Sequence, residues 1–136
     1  TKIFRNITKQ VMRMKKSQNN LTKAELAIMQ VLWQGQGLSA KQINQSLADK
    51  HWQRTTLATM LTRLEEKGVV QRQKAASGNG YLYRALLDEE DYRQSAANEL
   101  LDTLYHGSVG SLAASLVASR QLSEQDIAEL RELFKL

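Results

Sequence analysis

The hydrophobic period of this chain changes at Gly68, and this change restricts the fold more than any other feature. Before it, residues 53–67 have an apolar side that returns about every 3.6 residues, as in a helix. After it, residues 69–73 and 81–86 alternate as strands do, and the glycine-rich residues 75–80 separate them. The sequence therefore predicts a helix followed at once by a β-hairpin. The apolar side of the helix consists of Leu57, Met60, Leu61 and Leu64.

Two capping boxes predict two further helices before that one. Residues 22–25 form the first box, of a helix that ends near Gln34. Residues 39–42 form the second box, of a helix that ends near Asp49, and Leu38 could add a short third strand. Three helices followed by a hairpin predict a mainly α fold, the winged helix-turn-helix. In that fold the strand pair lies beside the third helix, which is the recognition helix.

The polar side of the third helix is rich in threonine. Threonine is β-branched and lowers intrinsic helix propensity, so helix stability alone does not explain its repeated use. A small, flat and polar surface fits a DNA groove, which is one good reason for the choice. The residues opposite or beside the apolar side are Thr55, Thr56, Thr59, Thr62 and Arg63.

Several residues on and around this helix are candidates for contact with DNA. Arg63 could form a bidentate contact with guanine or bind a phosphate, and the alternative is an ion pair with Glu66. The threonine hydroxyl groups could contact phosphates or base edges, and the methyl groups could contact thymine. Cations near a helix start or in the hairpin suit phosphates. These candidates are Lys41, Arg54, Thr55, Thr56, Thr59, Arg63, Arg72 and Lys74.

The charge of the chain is unevenly distributed. Residues 1–16 carry six basic and no acidic residues, and residues 17–84 carry nine basic and four acidic ones. Residues 85–136 carry four basic and ten acidic residues, within a net charge of +5. This gradient predicts a polyanion-binding module joined to a part that avoids the polyanion, although surface charge can also segregate by chance.

The composition excludes several classes of function. The chain contains no cysteine, which rules out disulfides, thiolate metal sites and thiol catalysis. With only two histidines, far apart in sequence, we expect no resident metal, although carboxylates could still bind a hard cation. The sequence has no glycine-rich phosphate loop and no nucleophile elbow, so we predict neither enzyme activity nor a cofactor. Without a long apolar run, we expect a soluble, cytoplasmic protein.

Residues 88–136 have a helical pattern throughout. They begin with an acidic run that suits the first turn of a helix, and breaks fall at residues 106–107 and 120–123. Three short amphipathic helices do not easily bury their apolar sides on one another. We therefore expect pairing with a second copy, and the alternative is packing on the same chain. The predicted dimer contacts are Leu100, Leu104, Leu112, Leu116, Ile127, Leu130 and Phe134.

Residues 1–20 are predicted to be a flexible basic extension, before a DNA-binding domain at 21–87 and a helical dimerisation domain at 88–136. The apolar residues of the extension recur at the spacing of a basic amphipathic helix for a membrane or nucleic acid. Residues 14–16, Met-Lys-Lys, also resemble a translation start. We favour this second interpretation, in which residues 1–13 have a secondary role.

Several motifs together resemble a known family. They are Leu21–Glu25, Ile28–Met29, Leu32–Trp33, Trp52, Thr56–Leu57, Thr59, Leu61–Leu64, Lys67–Gly68, Leu122–Ser123, Asp126–Ile127 and Glu129–Leu130. Over about residues 20–136 the chain resembles the penicillinase, methicillin-resistance and copper-operon repressors. The resemblance implies a homodimeric winged-helix repressor of a pseudo-palindromic operator, dimerised through its C-terminal helices. It places the recognition-helix contacts on Arg54, Thr55, Thr56, Ala58, Thr59 and Arg63.

The chain departs from the family pattern in two respects. Ala58 occupies a position where relatives often have a basic residue, so one contact with the DNA is expected to be absent. Neither known route of induction fits: there is no cysteine for a copper-binding cluster, and Ser115-Leu116 replaces the Asn-Phe pair that is cleaved in β-lactam-responsive members. The inducer or sensor protein that would relieve repression is left open.

We predict a transcriptional repressor that binds double-stranded DNA as a homodimer. One alternative is a winged-helix module that binds a protein through its hydroxyl-rich side. Another is a membrane-associated regulator that is anchored by residues 1–16 and binds no operator.

Overall fold

The structure, a computed structural model, describes residues 21–135, and the predicted extension over residues 1–20 lies outside this range. The described residues form six α-helices, three β-strands and one 3₁₀ turn. The elements are α1 (Lys23–Gln34), β1 (Leu38–Ser39), α2 (Ala40–Ser46), the 3₁₀ turn (Ala48–Lys50), α3 (Arg54–Glu66), β2 (Val70–Lys74), β3 (Tyr81–Ala85), α4 (Glu89–Tyr105), α5 (Val109–Ala118) and α6 (Glu124–Leu133).

The chain divides into two compact units, one that ends at Ser95 and one that begins at Ala96. The sequence analysis predicts the boundary between the two domains earlier, after residue 87. The first turns of α4 belong to the first unit, where Tyr92 packs on Trp33 with ring centroids 5.8 Å apart.

Both capping boxes predicted in the first unit are formed. The Glu25 backbone N–H donates to Thr22 Oγ1 at 3.1 Å, and the Thr22 N–H donates to Glu25 Oε1 at 3.0 Å. Ser39 and Gln42 exchange the equivalent bonds at the start of α2. Each box satisfies backbone donors that a helix start otherwise leaves free, and this explains why α1 and α2 begin where they do.

Helix α2 is shorter than the sequence predicts. It ends at Ser46 rather than near Asp49, and the 3₁₀ turn follows. The Leu47 N–H is shared between two preceding carbonyl groups at 3.1 and 3.2 Å, so the helix tightens where the Leu47 side chain enters the core. The turn ends at His51, whose left-handed backbone (φ 56°) redirects the chain into α3.

The three strands form one antiparallel sheet in the order β1-β3-β2. Leu38 pairs with Tyr83, which confirms the short third strand predicted at Leu38. Within the hairpin of β2 and β3, Lys74 pairs with Tyr81 next to the turn. The change from helix to hairpin occurs at Gly68, whose φ of 77° is one that glycine adopts without a steric penalty.

The core of the first unit lies among α1, α2, α3 and the sheet. The indole Nε1–H of Trp33 donates to the carbonyl of Leu87 at 2.8 Å, which ties the segment after β3 to α1. Trp33, Trp52 and Tyr83 are partly buried against the core. The buried apolar residues are Ile28, Met29, Leu32, Ile43, Leu47, Leu57, Met60, Leu61, Leu64, Val69, Val70 and Leu87.

The second unit consists of helices with exposed apolar side chains. Ser108 caps α5, and Ser123 caps α6 through a capping box with Asp126. The break between α4 and α5 falls at His106 and Gly107, as predicted, and both have positive φ. Among the described residues after Ser95, no side chain is buried.

Candidate nucleic-acid interface

Helix α3 has one buried and one exposed side, as the sequence predicts. The buried side consists of Leu57, Met60, Leu61 and Leu64. The exposed side consists of Arg54, Thr55, Thr56, Ala58, Thr59, Thr62 and Arg63. Each buried side chain contributes about 1.5–3 kcal/mol, and together they fix the rotation of α3 about its axis. The hydroxyl-rich side is therefore held outward.

Two threonines on the exposed side hydrogen-bond to their own helix. Thr59 Oγ1 donates to the carbonyl of Thr55 at 2.9 Å, and Thr62 Oγ1 donates to the carbonyl of Ala58 at 3.0 Å. Their hydroxyl protons are thus engaged, and their oxygen lone pairs stay available as acceptors on exposed side chains. In this state they can accept a hydrogen bond from a base or contact a thymine methyl, whereas a phosphate needs a donor.

The two arginines of α3 lie near its two ends on the exposed side. Arg54 is the first residue of the helix, and Arg63 lies in its last turns. Among residues 21–135, Arg63 forms no ion pair, so the alternative pair with Glu66 is absent. Both guanidinium groups have the exposure that a contact with guanine or phosphate requires.

A cleft of about 800 Å³ opens between α2 and the start of α3. It brings together Lys41 and Arg54, which the sequence predicts as phosphate contacts, and it also contains His51, which the sequence analysis did not single out. In the sequence, the position of His51 directly before Trp52, close to the predicted start of the third helix, could have indicated this residue. The residues that line the cleft are Ala40, Lys41, Asn44, Gln45, Ala48, His51, Trp52, Arg54, Leu57 and Ala58.

The hairpin carries the two remaining basic candidates, both on β2. Lys74 is exposed near the hairpin turn. Arg72 has two partners: its guanidinium carbon lies 4.4 Å from the ring centroid of Tyr81, and its Nε lies 3.4 Å from Glu65 Oε2. Burial raises the pKa of the neighbouring Tyr83 hydroxyl, and the Glu65 carboxylate raises it further. Arg72 therefore braces the hairpin against α3 as well as exposing a cation.

A buried ion pair ties α3 to α1, and the sequence analysis missed it. Lys67 Nζ donates to Glu25 Oε1 at 2.8 Å, and Glu25 is 3% exposed. Its second oxygen, Oε2, is buried and has no hydrogen-bond partner among residues 21–135. Burial alone would raise the pKa of Glu25, but the hydrogen bonds from Lys67 and Thr22 outweigh it and hold the pKa below its usual 4.5. Glu25, which completes the capping box of α1, thus also holds the residue that follows α3.

Six of the seven predicted dimer contacts lie in α4, α5 and α6, and Phe134 follows α6 directly. Leu112 is half-buried, and the other six are exposed, from 37% for Leu116 to 77% for Phe134. No helix of the described residues is long and apolar enough to cross a membrane. The exposed predicted contacts are Leu100, Leu104, Leu116, Ile127, Leu130 and Phe134.

Comparison with known proteins identifies relatives over most of the chain. The penicillinase repressor of Bacillus licheniformis is 28% identical over 116 residues, which cover 85% of this chain and 89% of that protein. The penicillinase repressor of Staphylococcus aureus is 30% identical over 121 residues, which cover 88% of this chain and 94% of that protein.

A solved structure and a family model extend the comparison. Wild-type MarR from E. coli, in its apo form, superposes with a TM-score of 0.50 at 17% identity over 96% of this chain and 93% of that chain, and this likeness shows the fold alone. The family model described as penicillinase repressor matches residues 21–135. The predicted winged-helix fold and family resemblance are confirmed, and this chain belongs to the penicillinase repressor family.

Proposed function

We propose that this protein is a sequence-specific DNA-binding repressor of transcription that inserts α3 into the major groove. The observation that carries this proposal is the exposed side of α3. From residue 54 to residue 64 the helix contains two arginines, four threonines and no carboxylate. Such a surface attracts the phosphate backbone and offers hydroxyl and methyl groups to base edges. The relatives named as repressors support the same function.

We assign different tasks to different parts of the interface. Arg63, which is exposed and has no ion pair within the described part of the chain, reads a guanine or clamps a phosphate beside the groove. Lys41 and Arg54, on the cleft, hold the backbone at one edge of the helix. Arg72 and Lys74 on the hairpin contact the flanking backbone. The division follows from chemistry, because base contacts specify sequence and phosphate contacts set position.

We also propose that the protein acts as a homodimer, in the cytoplasm, where chromosomal DNA lies. The second unit exposes leucine, isoleucine and phenylalanine side chains that a second copy would cover. Two copies related by a twofold axis would place two α3 helices on two half-sites of a pseudo-palindromic operator.

The proposal is tested by titrating the full chain against a mixed-sequence duplex library at about 50 mM and about 200 mM salt. Because binding would release counterions from several phosphates, we expect affinity to fall by about 10³-fold or more between these conditions for six or more contacts. Failure to bind any duplex at the lower salt concentration would overturn the proposal and favour a protein-binding surface.

A further inference from the structure

The cleft between α2 and α3 collects basic side chains from three successive elements. Lys41 comes from α2, His51 from the end of the 3₁₀ turn, and Arg54 from the start of α3. Asn44 and Gln45 add two amide groups, and no carboxylate is among the described residues that line the cleft. Ammonium, guanidinium and amide groups all donate hydrogen bonds, so this lining suits an anion.

His51 is held at this cleft by an uncommon backbone conformation. Its φ of 56° lies in the left-handed region, which is unfavourable for a residue with a side chain. The residues around it fix this conformation, because Leu47 is buried before the turn and Trp52 packs against the core directly after it. His51 therefore lines the cleft although its side chain is exposed.

The position of the cleft indicates which anion it meets. Arg54 and Ala58 line the cleft and also belong to the exposed side of α3, which we propose to enter the groove. The anion nearest to a helix in the major groove is the phosphate backbone at the groove edge. A phosphate accepts hydrogen bonds and does not donate them, and it therefore matches a lining of donors.

We propose that this cleft binds one backbone phosphate of the operator and that His51, when protonated, is the third cation on that phosphate. This inference rests on the proposed DNA binding. Histidine is the side-chain type whose charge can change near neutral pH, in contrast to lysine and arginine. The charged residues directly before His51 in the chain are Asp49 and Lys50 of the 3₁₀ turn, one acidic and one basic. DNA affinity thus gains one phosphate contact as pH falls.

The chain provides a matched control for this inference. It contains two histidines, His51 and His106, and both are exposed with positive φ, 56° and 50°. Asparagine tolerates this backbone conformation and carries no charge, so His51→Asn and His106→Asn change the same chemistry at two places. His51→Lys supplies a cation at every pH.

The experiment measures operator affinity of the full chain by fluorescence anisotropy at about pH 8 and about pH 5.5, each over a series of salt concentrations. For the unmodified chain we expect affinity to rise about threefold to tenfold at the lower pH, and the slope of log K against log[salt] to steepen by about 0.9, which corresponds to one added phosphate contact. His106→Asn should behave in the same way. His51→Asn should lose both changes, and His51→Lys should show the steeper slope at both pH values.

Three results would overturn the inference. One is a pH response that persists in His51→Asn, and another is a response that disappears in His106→Asn as well. The third is binding by the unmodified chain that does not depend on pH, which would leave DNA binding itself intact. Absence of binding at both pH values would instead refute the proposed function and this inference with it.

Operator duplexes that each carry a single neutral methylphosphonate, at successive backbone positions, add a positive test. At one of these positions the substitution should abolish the pH response of the unmodified chain.

Discussion

Individual side chains of α3 have either a packing role or a contact role. Leu57 and Leu64 are almost wholly buried, so they set the position of the helix without reaching a partner. Thr59 and Thr62 use their hydroxyl protons within the helix and keep their oxygen lone pairs as acceptors. Arg63 is the side chain of this helix with the most scope for sequence-specific contact, because it is exposed, charged and free of any ion pair among the described residues.

Replacing Arg63 with alanine tests that assignment. We expect Arg63→Ala to weaken operator binding by about 1–3 kcal/mol and to relax the preference for one base pair if the arginine reads guanine. Gel-shift titrations on the operator and on its single-base variants measure both effects. Arg93→Ala is the control, since Arg93 pairs with Glu89 on α4. Equal affinity of Arg63→Ala and the unmodified chain would remove Arg63 from the interface.

Ala58 permits a change in the opposite direction. It is exposed and lines the cleft that we propose to bind a backbone phosphate. Ala58→Lys should tighten DNA binding and steepen the log–log salt slope by about 0.9 for one added phosphate contact. Gln94→Lys adds the same charge on α4 and should leave the slope unchanged. If both variants steepen the slope equally, the effect is one of net charge rather than of position.

Among the described elements of the first unit, α3 is connected to its neighbours by two ion pairs. Lys67 at its end joins Glu25 of α1, and Glu65 joins Arg72 of β2. The first pair is largely buried and the second is partly exposed, so the first has the greater effect on stability. These contacts fix the angle at which the recognition helix meets both α1 and the hairpin.

Lys67→Met tests the buried pair. Without the ammonium group the Glu25 carboxylate is left buried, and we expect a loss of about 1–3 kcal/mol in the free energy of unfolding at neutral pH. Because the pKa of Glu25 is lowered in the folded state, the pair stabilises fully above pH 4.5, and this contribution is lost as pH falls through the folded pKa. Urea unfolding at a series of pH values should show the two proteins converging in acid.

The control for that change is the exposed pair of Lys135 and Glu132, whose side chains are 68% and 71% exposed. Lys135→Met should change stability by less than about 0.5 kcal/mol, since surface pairs contribute little. A stability difference for Lys67→Met that stays constant from pH 7 to pH 3 would show that the ion pair is not its cause.

Local patterns predicted most of these elements, and contacts between distant residues account for what was missed. The capping boxes, Gly68 and the third strand at Leu38 all follow from short-range chemistry, and each is present. The early end of α2 depends on Leu47 turning into a core that the sequence does not display. The Glu25 to Lys67 contact joins residues 42 apart, which no periodicity reveals.

The candidate site follows the same division. The exposed side of α3 can be predicted from helical spacing. The hydrogen bonds from Thr59 and Thr62 to backbone carbonyls cannot, because they depend on side-chain rotamers. His51 lines the same cleft as Lys41 and Arg54 because its own left-handed backbone, directly after the 3₁₀ turn, redirects the chain from α2 into α3. Helical spacing does not predict this turn. The predicted dimer contacts stay a prediction.

At the scale of the whole molecule, the charge and apolar surface are divided along the chain. The basic side chains of the proposed interface lie in the first unit, and the exposed apolar side chains concentrate in the second. Large exposed apolar patches in such a unit are typical of a subunit interface. Two copies would bind DNA more tightly than one, because the second contact is intramolecular.

A charge placed in this apolar surface should separate the copies. Leu104 is 66% exposed on α4, and Leu104→Glu would place a carboxylate where the second copy packs, so we expect sedimentation velocity to show a shift towards monomer. Asn98→Glu lies on another side of the same helix and should leave the oligomeric state unchanged. A dimer of undiminished stability in Leu104→Glu would place the subunit interface elsewhere.

The most direct test of the central claim is selection of bound sequences from a random duplex library by the full chain, alongside Arg63→Ala. A homodimeric repressor that reads DNA through α3 should enrich two inverted half-sites whose centres are about 10 base pairs apart, or a multiple of that spacing. Arg63→Ala should enrich a motif with reduced information at one symmetric pair of positions. Retention of DNA with no enriched motif, or an identical motif with both proteins, would contradict sequence reading by this helix.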